Sequence, residues 1–439
     1  MGSSLSYLLK KKTFLPLFLT QFFGAFNDNA FKLSMLTLIS YHLSTTQAQS
    51  EHYQAISGAL FTLPFFLFSA TAGQLADKFD KATMAKFVKV FELGLMALGG
   101  YALYQGSIFL MLATLSGMGV HSTFFGPIKY AILPDHLPRK QLLGATALIE
   151  ASTFIAILLG TTLGALAIGT QKSHVGYAIF ITNLLAVLGL VASFFIPPAP
   201  SKINTLIIDW NIWRATKVMI KEAMGNASLY PAILAISWFW LIGAVMLTKL
   251  PDYTHFVLGA NTEVFAIFLA LFSIGIAIGA MAISYVLGGK ITLRYVPLAM
   301  LLLSFFAFDL YSVSPDMKEE GPLLNLLEFL ADFTNLRITL DFFLLSFCGG
   351  LFVVPLYTYL QICCAEGARA RTIAVNNIIN ALFMVTGSIL IMILLHFKVK
   401  IAAVFLILAI LNTAGAFVLW FLFSRKVRKN VIESFYNQS

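Results

Sequence analysis

Twelve apolar runs, each long enough to cross a bilayer as a helix, succeed one another along the 439 residues and leave little chain for anything else. They fall near 13–42, 54–76, 84–105, 107–134, 142–169 and 174–197, then near 228–250, 262–288, 292–312, 338–364, 372–397 and 399–424. With 59% apolar and only 11% charged residues, a soluble globular fold is excluded. The expected architecture is an all-α membrane protein of twelve transmembrane helices in two six-helix halves, 1–197 and 228–439, joined by a cytoplasmic linker at 198–227. Pro197, Pro198 and Pro200 open that linker, and Lys202, Arg214, Lys217 and Lys221 place it in water or among headgroups.

Lys and Arg crowd one side of this arrangement: Lys10, Lys11, Lys12, Lys78, Lys81, Lys86, Arg139, Lys140, the four linker cations, Lys290, Arg294, Arg369, Arg371, Arg425, Lys426, Arg428 and Lys429. The other side holds Lys172, Lys318, Arg337, Lys398 and Lys400. By the positive-inside rule both termini are expected in the cytoplasm, which requires an even number of spans and agrees with twelve. The first span is expected to be permanent, because its apolar run is too long for a signal peptide and lacks an A-x-A site. In the outer loop 313–337, GPLLNLLEFLADF sets Asn325, Glu328 and Asp332 in a polar stripe against four leucines, as an interfacial helix would.

FFGPIKYAIL of span four can be laid over LFVVPLYTYL of span ten, with Pro127 over Pro355, and Pro16 and Pro231 open spans one and seven. Facing repeats of this kind build midplane sites in secondary transporters, so alternating access is expected. Three cysteines without a CxxC pair give no disulfide framework or zinc site. No cofactor, metal, catalytic residue or nucleic-acid partner is expected.

The chemistry lies in charges at depth. Asp28 sits about 14 residues, roughly 21 Å, inside span one, with Asn27 beside it and Lys32 at i+4, where the two charges can pair. Lys129 follows Pro127 in span four, Glu150 stands about 12 Å into span five, and Lys249 lies near the outer end of span seven. Asn376, Asn377 and Asn380 add neutral polar groups on span eleven. A cavity with both signs of charge suits a zwitterionic or phosphate-bearing substrate, and Phe22, Phe23, Phe26 and Phe31 offer an apolar wall. His121, within span four, is either a core residue or a proton carrier. After span two, GQLADKFDK carries Gly73, Asp77, Lys78 and Lys81, a set able to latch one conformation: the glycine permits close helix approach and the carboxylate pairs with neighbouring cations.

GQLADKFDK resembles the signature loop of the major facilitator superfamily, with Asp80 where glycine is common. Together with the Asp-Asn-Ala core of AFNDNAFK, GPIKYAIL, EASTFIAILLG and GGLFVVPLYTYLQ, it resembles the bacterial lysophospholipid transporter family over most of the chain. The resemblance implies movement of lysophospholipids from the outer to the inner leaflet of the inner membrane for re-acylation, with Asp28, Lys129 and Lys249 meeting the headgroup. Asn27 and Lys249 depart from the family's usual glycine and arginine. Some relatives are fused to an acyltransferase; no HxxxxD stands here, so a separate cytoplasmic acyltransferase is the expected partner. The competing readings are an ion-coupled carrier of a soluble anion, such as a siderophore or metabolite, and a membrane scaffold acting through linker residues Trp210, Trp213 and Met224.

Overall fold

A computed structural model describes residues 5–169, 174–203, 205–315 and 322–436. Among them are twelve long helices: α1 Leu15–Leu38, α2 Gln47–Lys78, α3 Lys81–Gln105, α4 Ile108–Ala131, α5 Arg139–Ile168, α6 Val175–Phe194, α7 Leu229–Asp252, α8 Thr262–Leu287, α9 Val296–Val313, α10 Phe333–Cys363, α11 Arg369–His396 and α12 Ile401–Tyr436. No strand occurs among the described residues, only one isolated bridge between Ala260 and Leu324. Eleven of the twelve are long and apolar enough to cross a membrane. The exception is α1, where Gln21, Asn27, Asp28, Asn29 and Lys32 dilute the apolar run.

Polar side chains mark the boundaries. Thr46, Asp80, Ser107 and Asn261 accept hydrogen bonds from the otherwise orphaned first N–H groups of α2, α3, α4 and α8. Gly106, with φ of 64°, ends α3 in the left-handed region that glycine adopts without strain. At the expected interfacial segment only a short helix forms, Leu326–Ala331. Its polar residues act as caps: Asn325 and Glu328 form a capping box, and Asp332 accepts from the N–H groups of Thr334 and Asn335 at the start of α10. Lys172 and Lys318 lie outside the described residues.

The chain forms two compact units, Met1–Gly225 with Leu360–Ala381, and Asn226–Tyr359 with Leu382–Ser439. In the first, α1 packs closely on α5 because glycines remove the side chains between them. A Cβ at Gly160 would come within 2.8 Å of the Asn29 Cβ, and one at Gly164 would strike the Ala30 backbone. Small-residue contacts of this kind hold helices together in lipid, where burial of apolar surface gives no drive. Ser34 adds a hydrogen bond to the Gly164 carbonyl at 2.9 Å. In the second unit α8 and α10 repeat the device, with Gly279 against the Phe347 backbone and Gly350 against that of Ile276 and Ala280. Asn412 of α12 donates to the Met300 carbonyl and Ser304, and accepts from Trp238, tying α7, α9 and α12.

The linker carries a helix, Ile212–Gly225, docked beside α2 through Gln74, whose amide oxygen accepts from the Asp209 N–H at 2.8 Å. Ala215 and Met219 are buried, while Trp210 and Trp213 are exposed. Asp209 is held below the ordinary carboxylate range by the hydrogen bond from Arg214.

Candidate functional site

Asp28 begins the site. It lies on α1 thirteen residues after Leu15, so at about 1.5 Å per residue it sits about 20 Å into the helix. Its Oδ2 accepts from the Ser122 hydroxyl at 2.5 Å, and its Oδ1 lies 3.8 Å from His121 Nδ1. Lys32, set by spacing to pair with Asp28, instead holds its ammonium 5.7 Å over the Phe61 ring and enters no ion pair among the described residues. The α4 residues take the position that the i+4 lysine was expected to fill.

Asn27 faces the other way, into the bundle. Fully buried, it donates to Glu92 Oε1 at 2.7 Å, and Glu92 Oε2 accepts from Lys89 at 2.6 Å and lies 3.2 Å from His121 Nε2. The Lys89 and Glu92 side chains are wholly unexposed. The ammonium fits because residue 24 is glycine: a Cβ there would collide with Lys89 Nζ. Lys89 also stands 5.0 Å over the Phe125 ring, on which His121 stacks at 6.1 Å. The sequence reading passed over Lys89 and Glu92, although a Lys-x-x-Glu within a run counted as a span was the signal that could have found them.

Lys129 forms a second group with Glu150. Its ammonium is 4.8 Å over the Tyr130 ring, and the Tyr130 hydroxyl donates to the buried Glu150 carboxylate. Lys129 is within electrostatic reach of both Glu150 and Asp28. One helical turn before it, Gly126 meets Asn377: a Cβ at Gly126 would lie 2.8 Å from Asn377 Nδ2. Neighbouring Asn376 is fully buried, and neither of its amide atoms has a hydrogen-bond partner among the described residues. Gln21 braces the floor, donating to Ser152 and accepting from Thr153 of α5. Asp28, Lys32, Lys129, Glu150, Asn27 and Asn377 thus share the first unit. Lys249 belongs to the second, where it pairs with Asp252 at 2.9 Å beside the turn Tyr253–Val257. There too Arg337 grips Asp309, next to the buried Asp341.

At the end of α2, Asp77 Oδ1 accepts from the Ala370 N–H at 2.9 Å, and its Oδ2 from the Arg371 N–H and Nε, both at 3.1 Å. It thereby caps the start of α11. Gly73 allows the approach: a Cβ there would lie 2.7 Å from the Ala374 Cβ and 2.9 Å from the Arg371 Cα. Lys81 pairs at 3.0 Å with Asp135, which also receives Arg369 at 3.1 Å, while Lys78 lies 5.9 Å over the Phe79 ring. Asp80, the departure within the loop, adopts φ −61° and ψ 121°, a conformation that needs no glycine. It accepts from the Ala199 N–H at 2.6 Å and so fastens the linker to α3. Lys202 pairs with Glu366 at 3.0 Å and holds that carboxylate below its usual range.

The arrangement provides a carboxylate and an ammonium group beside neutral amides, backed by a fully buried ion cluster. The profile described as Major Facilitator Superfamily matches residues 17–315. The lysophospholipid transporter LplT of Photorhabdus laumondii is 27% identical over 349 residues, covering 78% of each chain. Its counterpart in Escherichia coli O157:H7 is 28% identical over 346 residues with the same coverage. Among solved structures, the human organic anion transporter MFSD10 matches with a TM-score of 0.74 at 14% identity, over 93% of this chain and 99% of its own. The transporter FucP in its outward conformation gives 0.71 at 12%, over 94% and 99%. These likenesses fix a twelve-helix transporter fold.

Proposed function

Because the chain belongs to the Major Facilitator Superfamily, we propose that it is a lysophospholipid transporter of the bacterial inner membrane, working by alternating access with both termini in the cytoplasm. The relatives named for that cargo over most of the chain support the reading. The observation that carries it is Asp28 held by Ser122 and His121 of α4, the helix on which Lys129 lies over the Tyr130 ring whose hydroxyl donates to Glu150. A lysine is a point-charge ligand for phosphate, and a carboxylate receives an ammonium. Phosphate and amine are the two groups of an ethanolamine headgroup. Asn377 adds a neutral donor against Gly126. Asp77 on the start of α11 is the latch of one conformation, with Gly73 permitting it. Cargo taken from the outer leaflet and delivered to the inner one would pass to a separate acyltransferase.

Reconstituted vesicles test this. Labelled lysophosphatidylethanolamine and lysophosphatidylglycerol should cross faster than in empty vesicles, and Asp28→Asn should abolish the gain in a folded protein. Crossing at the empty-vesicle rate would sink the proposal. One observation favours a second reading: His121 lies between Glu92 and Asp28, 3.2 and 3.8 Å from them, as a proton carrier would. An ion-coupled carrier of a soluble anion would then show a substrate-induced pH change in sealed vesicles.

A further inference from the structure

In the first unit an apolar groove of about 590 Å³ lies between α2 and α3, floored by α4. Leu75, Met84, Val88, Val120 and Phe124 line its length, and Phe79 and Phe87 form its rim. Phe87 is 71% exposed. His121, the same imidazole that faces Glu92, also lines the groove.

Its dimensions and its mouth identify an occupant. From Thr83 to Phe91 the α3 wall runs about 12 Å at 1.5 Å per residue. That is most of the roughly 15 Å of hydrocarbon in one leaflet. At the mouth Asp80 is already engaged by the N–H groups of Thr83 and Ala199. Lys81 is engaged by Asp135. Lys78, held over the Phe79 rim, has no ion-pair partner among the described residues. An apolar slot one leaflet deep with an uncompensated ammonium at its polar end has the pattern of a phospholipid: chain within, phosphate at the mouth.

We infer that the groove is a binding site for a resident two-chain anionic phospholipid of the leaflet at the Lys78 end, distinct from the transported cargo. One acyl chain lies along Met84 and Val88 with its tip against His121, and the phosphate is neutralised by Lys78. The lipid thereby seals the apolar side of the buried Lys89–Glu92–His121 cluster against water.

The test uses the full-length protein in nanodiscs containing phosphatidylglycerol with a diazirine on one acyl chain. After illumination, labelled peptides should concentrate on 84–91 and 120–124. Unlabelled phosphatidylglycerol should compete about fivefold better than phosphatidylcholine, the effect of about one juxtamembrane lysine. Thr83→Trp, a change at an exposed position, should fill the mouth and reduce labelling at these peptides at least fivefold. Lys78→Gln should remove the preference for phosphatidylglycerol while labelling persists. Labelling spread evenly over all lipid-facing helices, or equal competition by the two lipids, would overturn the inference. So would stronger competition by lysophosphatidylethanolamine, which would make the groove a cargo site.

Discussion

Lys89 and Glu92, one turn apart on α3, form an ion pair 2.6 Å long in which neither side chain is exposed. Taking two charges out of water costs several kcal/mol each, so such a pair survives only with further partners. Here they are Asn27, His121 and the ring of Phe125. Removing one member leaves an uncompensated charge. Lys89→Met or Glu92→Leu alone should therefore destabilise the folded protein by about 3–5 kcal/mol. The double substitution should recover most of that loss, as thermal unfolding in detergent would show. Additive losses would mean the two charges do not depend on each other.

Gly24 is the space that the Lys89 ammonium occupies. Gly24→Ala should act as overpacking, costing about 1–3 kcal/mol. In a Lys89→Met background the cost should shrink, because a thioether tip carries no charge to relocate. An undiminished cost would place the strain elsewhere.

Asp77 and Gly73 are tested together. Gly73→Val would set a Cβ 2.7 Å from the Ala374 Cβ and 2.9 Å from the Arg371 Cα, so the contact could form only if the helices moved apart. Asp77→Asn gives up charge-assisted bonds of about 1.5–3 kcal/mol each. If the contact marks one state of a transport cycle, each change should slow transport about tenfold or more in a protein that still folds and inserts. Transport at the native rate in both variants would remove the latch role.

Asp80 gives a pH signature. Burial opposes its ionised form, yet the N–H and hydroxyl of Thr83, the N–H of Ala199 and the charge of Lys81 together hold it below the usual carboxylate range. A group lowered on folding contributes stability above its unfolded value of about 3.9, and loses it as pH falls through the folded value. Asp80→Asn should thus be less stable than the native protein at pH 7, by a margin that closes below about pH 4. A margin independent of pH would assign the effect to lost hydrogen bonding rather than charge.

The helices were legible because a bilayer demands long apolar runs, and Asp28, Lys129 and Glu150 stood out as interruptions of them. Partner choice was harder to read. Spacing along one helix put Lys32 on Asp28, whereas the fold supplies Ser122 and His121 from α4, which no periodicity within α1 reveals. Lys89 was hidden for a similar reason. It stands close behind Lys78, Lys81 and Lys86, and nothing within its own helix shows that the Gly24 gap on α1 admits it to the interior. In the outer loop, Asn325, Glu328 and Asp332 read as a stripe because caps and stripes use the same residue types.

The first helix bears on how the protein is made. Its polar residues make it the one of the twelve not apolar enough to count as a membrane span, yet it leaves the ribosome before the helices that complement it. The amide of Asn27 finds Glu92 only once α3 exists, and Ser34 finds Gly164 only once α5 does. Until then these two side chains lack the partners that offset their reluctance to enter lipid. Topogenesis of this protein is thus an assembly problem, in which later segments recruit an earlier one, and chains cut short before α5 should remain in the hands of the insertase.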